Sequence, residues 1–125
     1  MSVPAKPTPD TAPFHIADIL FVRAWAARAP GLGGWRVSVE PQDRQAHRVL
    51  VVPPGAEQPV FFISRRDGGV LIERRRPAES GSGLVIAGRC ESLREAVQRL
   101  CPLDGDTLQA VNEYMEQAHP RGPRH

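Results

Sequence analysis

Residues 60–76 read VFFISRRDGGVLIERRR, two β-prone runs on either side of Asp67-Gly68. A two-residue loop of this composition suits a type I′ turn, whose central positions both need positive φ and whose twist matches that of paired strands. The turn sets a register in which Arg66 faces Gly69, Arg65 faces Val70, Ile63 faces Ile72 and Phe61 faces Arg74. Side chains alternate across a strand, so Arg65 and Arg74 share a face with Phe61 and Ile63. Arg75 shares the opposite face with Val60, Phe62 and Leu71. Both faces are apolar at mid-hairpin. The hairpin therefore belongs inside a sheet, and something must cover part of its second face.

Outward from the hairpin, the same period of two recurs. GWRVSVE (34–40) alternates, with Trp35, Val37 and Val39 against Arg36, Ser38 and Glu40. HRVLVVP (47–53) is apolar on both faces, and GLVIAGR (83–89) supplies a fifth strand. The links carry turn residues: Pro41-Gln42-Asp43, Pro53-Pro54-Gly55 and the ESGSG stretch. Short links between strands of this length predict an antiparallel meander.

Helical periodicity frames the strands. A first helix is expected from Pro13 to Ala29, with Asp10 or Thr11 as cap and Pro30-Gly31 as stop. Ile16, Leu20 and Ala27 form one apolar stripe on it, and Phe14, Phe21 and Trp25 a second. Taking the first stripe as the one on the sheet leaves the second for a partner subunit, because monomers seldom expose several hundred Å² of contiguous apolar surface. The competing expectation is that a C-terminal helix covers those aromatics through Leu108, Val111 and Met115. Ser92 followed by Glu95 is a capping box opening a second helix, with Leu93, Ala96, Val97 and Leu100 inward. Asp104 or Asp106 opens a third that runs through Ala118. Helix, five antiparallel strands and two helices define an α+β fold with helices packed on a single sheet.

The chain has 125 residues with 41% hydrophobic and 24% charged content, which fits one soluble globular domain, placed at 13–118. Prolines crowd 1–12 and 119–125, so both read as flexible tails. No apolar h-region follows the start, and the most apolar run (14–27) is interrupted by Asp18 and Arg23 and is too short for a bilayer. A cytoplasmic protein without membrane contact is expected. Cys90 and Cys101 should be free thiols, because the helix between them would hold their sulfurs more than ~12 Å apart.

Catalytic motifs are absent: there is no nucleophile elbow, phosphate loop, zinc-protease helix or paired C-x-x-C. His15, His47, His119 and His125 do not fall at metal-ligand spacing, and the Asp104–Asp106 run lacks the further oxygen ligands of a cation loop. No enzyme activity, cofactor or metal is expected. Cys90, two residues before the helix cap, is the sole candidate nucleophile, and the sequence nominates no base for it beyond His47, should the strand order bring that residue near.

Net charge is only +2, and the ratio of fifteen arginines to one lysine (Lys6) is of a kind that bacterial genome composition produces. Locally, however, Arg65, Arg66, Arg74, Arg75 and Arg76 form a cluster. The expected function is that of a small non-enzymatic interaction domain. It associates with itself or with a protein partner through Phe14, Phe21 and Trp25. The alternative is binding of nucleic acid or another anionic ligand through the five hairpin arginines. Against that alternative stands the division of those arginines between two faces, which suits solvated strand ends equally well.

Overall fold

A computed structural model of the chain describes residues 12–41, 46–66, 68–76 and 83–118. The two expected tails (but for Ala12), the Asp10 and Thr11 caps, and Asp67 of the hairpin turn lie outside the described residues. The described elements run α1 (Ile16–Arg28), β1 (Arg36–Glu40), β2 (Arg48–Val52), β3 (Phe61–Arg66), β4 (Gly69–Arg75), β5 (Leu84–Cys90), α2 (Leu93–Leu100) and α3 (Gly105–Ala118). The strands form one open antiparallel sheet in sequence order, β1-β2-β3-β4-β5. The fold is α+β, as the alternation and capping signals imply.

The hairpin register is the expected one, with Arg66 opposite Gly69, Arg65 opposite Val70, Ile63 opposite Ile72 and Phe61 opposite Arg74. Gly68 takes φ +77, the positive value that the turn requires. The β4–β5 pairing contains a bulge: Ile72 pairs with Gly88, but the next residue, Glu73, pairs with Ile86, so Ala87 is the extra residue.

One face of the sheet carries the helices. Val49, Val51, Ile63, Val70 and Ile72 meet α1 and α2 there in a single core, which Val37, Val39 and Phe61 border. Both C-terminal helices lie on this side, α2 against β3, β4 and β5, and α3 against α1. Their caps are as expected. Glu95 N–H donates to Ser92 Oγ at 3.1 Å, and the Glu95 carboxylate accepts from Glu91 N–H, one residue before the cap. Thr107 N–H donates to Asp104 Oδ1 at 2.8 Å and holds that carboxyl below its ordinary range.

Two expectations about α1 do not hold. The helix begins at Ile16 rather than Pro13, because upstream backbone donors are engaged elsewhere. Ala12 N–H donates to Arg65 O and Phe14 N–H to Ala46 O, which holds this stretch extended against the sheet. The roles of the two stripes are also largely reversed, with only Leu20 of the first stripe packed at the border of the core. Phe14, Phe21 and Trp25 are core residues, with Trp25 at 0% exposure, whereas Ile16 is 63% exposed and Ala27 faces solvent. The aromatics offer more apolar area per residue than Ile16 and Ala27, so burying them gains more. Val111 and Met115 of α3 are buried in the same cluster, with Leu108 at its border. The surface proposed for a partner subunit is thus filled from within one chain.

Candidate functional site

The second face of the sheet has no described helix or strand over it, yet Val52, Phe62, Ser64 and Leu71 on that face are buried. Over Phe62 the cover is arginine. The Arg48 and Arg75 guanidinium carbons lie 5.1 and 5.4 Å from the Phe62 ring centroid, one approaching from β2 and the other from β4. Phe62 is left with 6% exposure. Aliphatic arginine stems shield apolar surface while their heads stay wet, which accounts for the burial of Phe62 on the second face.

The pairing places this face in three rows across the strands. Glu40, Arg48, Ser64, Leu71 and Arg89 make the first. The middle row holds Ser38, Leu50, Phe62, Glu73 and Ile86. Arg36, Val52, Arg75 and Leu84 belong to the third, with Val60 bridging through the bond from Arg75 N–H to its carbonyl. Arg66 projects from the same face beyond the first row. Five arginines therefore share it with Glu40 and Glu73. That leaves +3 on this face, against +2 for the entire chain, so everything else sums to −1. The basic character of the protein is concentrated here.

Four of these guanidiniums are tied down by their own chain. Arg36 donates to Ala56 O at 2.9 Å, Arg75 to Pro59 O at 2.9 Å and Arg66 to Ser64 Oγ at 3.2 Å. Arg48 pairs with Glu40 at 2.8 Å. That exposed pair adds little stability; its effect is to aim the side chain. Each tether uses part of a five-donor group and leaves the remaining N–H groups to meet an anion with less entropy to lose.

The hairpin arginines singled out in the sequence divide across the sheet. Arg66 and Arg75 stand on the open face. Arg65 lies on the helix side and donates to Pro13 O at 2.9 Å. Arg74, opposite Phe61 and Val85, is exposed at the helix-side rim, and Arg76 follows the end of β4. Arg36, Arg48 and Arg89, from three other strands, complete the open face and were missed. For Arg36 the alternation of 34–40 was a usable signal; Arg89 had none, because the bulge at Ala87 inverts the parity of the strand.

At the turn end, a cleft of about 350 Å³ is lined by His15, Asp18, Arg65, Arg66, Glu91 and Ser92 among others. Asp18 in it pairs with Arg94, Arg65 and Arg66 donate to Pro13 O and Ser64 Oγ, and the Ser92 hydroxyl already accepts from Glu95 N–H. Burial pushes the Cys90 thiol upward, Glu95 adds to this and Arg99 opposes it. His47, one residue before β2, is separated from Cys90 on β5 by three strand spacings, ~14 Å. Both cysteines are free. Unfolded, unreduced protein is expected to titrate two thiols per chain. In the folded state half-buried Cys101 should be alkylated well before Cys90; equal rates would contradict the burial of Cys90.

Among the described residues, no group of three His, Cys, Asp or Glu is placed to hold a metal ion, and no helix is long and apolar enough to cross a membrane. No family model, curated protein or solved structure matches the chain.

Proposed function

We propose that the chain is a non-catalytic interaction module that takes an anionic partner on the open face of its sheet. The observation that carries this reading is the set of five arginines on one face of the sheet, four of them tethered and two of those stacked over Phe62. Arginine beside buried aromatic surface is the composition enriched at energetic centres of protein interfaces. Its forked donors match carboxylate and phosphate alike.

The test compares two double reversals that change net charge equally. One, Arg36→Glu with Arg89→Glu, alters exposed positions on the open face. The other, Arg23→Glu with Arg74→Glu, alters exposed positions on the helix side. On immobilised heparin, the first variant is expected to elute at much lower salt than the second, because only it removes charge from the binding face. Both should melt close to the wild type, since exposed charges contribute little to stability. Equal losses would mean that overall charge alone governs retention and that the open face is no site.

A further inference from the structure

We infer that the partner is an acidic amphipathic helix of another protein, lying across the strands along the middle row of the open face. This rests on the open-face reading above and gives it a ligand shape. Rows two residues apart are separated by ~7 Å, so the arginine-bearing outer rows stand ~13 Å apart. Arg48 and Arg89 flank the middle row on one side, and Arg36 and Arg75 on the other. A helix with its side chains is about 10–12 Å across. Arg48 and Arg75 turn inward over Phe62, so a helix laid along the middle row meets guanidiniums from both outer rows with carboxylates on its two flanks.

The apolar contact lies toward the β5 end of the row, because Phe62 is enclosed beneath Arg48 and Arg75 with 6% exposure. Ile86, two strands further along the row, is 59% exposed, the largest exposure of any aliphatic side chain on this face. Five strands span ~19 Å, which a helix of about 13 residues covers.

Nucleic acid fits this face less well. Phe62, the one aromatic on it, lies beneath two guanidiniums and offers no ring for a base to stack on. Glu73 stands in the middle of the face, with no ion pair among the described residues, where it repels phosphate. A basic or polar side chain of a helical partner would answer it.

The test uses a fluorescent peptide of about 16 residues with leucines on one helical stripe and glutamates on both flanks. Its controls are a scramble of the same composition and a single-stranded oligonucleotide of similar length, all at low salt. Anisotropy is expected to show the amphipathic peptide binding about tenfold or more tighter than the scramble, and circular dichroism to show it gaining helix when bound. Ile86→Glu, at an exposed position that leaves the core intact, should weaken the peptide about tenfold, and Arg36→Glu with Arg89→Glu should weaken it further. Equal binding of the scramble, or no binding by the amphipathic peptide, overturns the helical partner while the heparin result still stands. Tighter, arginine-dependent binding of the oligonucleotide replaces the partner with nucleic acid. Peptide binding untouched by the arginine reversals removes both the partner and the face.

Discussion

Trp25→Ala is expected to remove about 3–5 kcal/mol of stability, the range for deleting a buried tryptophan. The indole is fully enclosed, packs at 5.1 Å between ring centroids against Trp35, and donates from Nε1 to Cys101 O at 2.9 Å. That bond joins α1 to the segment between α2 and α3, so truncation opens a cavity and also strips a donor from a carbonyl where the helices meet. Trp25→Phe keeps most of the volume and loses the donor, with an expected cost of about 1–3 kcal/mol. Urea unfolding followed by circular dichroism checks both, with a lower midpoint at nearly constant slope. Because small domains are stable by only about 5–15 kcal/mol, the alanine variant should approach the edge of folding. A loss below about 1 kcal/mol would place the ring at the surface and revive it as a contact for another subunit.

Gly69→Ala is expected to be nearly as damaging, at about 2–3 kcal/mol, although it adds a single methyl group. Gly69 opens β4 with φ +158, and a Cβ there would sit 2.5 Å from the carbonyl oxygen of Cys90. The obstacle is backbone, so a rotamer change gives no relief; β5 would have to move away from β4 where Val70 pairs with Cys90. Its neighbour Gly68 has φ +77 and open space around a Cβ. Gly68→Ala therefore pays only for the left-handed conformation, about 1–2 kcal/mol. Thermal melts of the two variants should separate clearly, with the Gly69 variant the lower; the reverse order would mean that the hairpin turn, and not the β4–β5 contact, limits stability.

Turn chemistry and side-chain period carried much of this architecture. Asp67-Gly68 fixed the β3–β4 register without reference to any other element, because a two-residue loop leaves no slack. Ser92 with Glu95, and Asp104 at the start of α3, marked helix starts because a cap acts on donors within three residues. The candidate site was legible only in part. Arg66 and Arg75 could be placed relative to each other from the hairpin alone. Arg65 and Arg74 could be seen to face the other way, but not that their side was the one under the helices.

Elements whose geometry is set within about ten residues could be read along the chain: five strands, three helices, the hairpin register and the free thiols. The facing of α1 and the composition of the arginine face depended on contacts between distant segments. Two apolar stripes on one helix compete for the same sheet, and the outcome turns on the summed area that Phe14, Phe21 and Trp25 bury against Val49, Ile63, Leu93 and Val111. Likewise Arg36 and Arg48 join Arg75 through strand pairings closed by loops whose length does not dictate register. Arg89 joins them because one extra residue, Ala87, inverts the alternation of β5, a shift set by its pairing with β4 and absent from its own pattern.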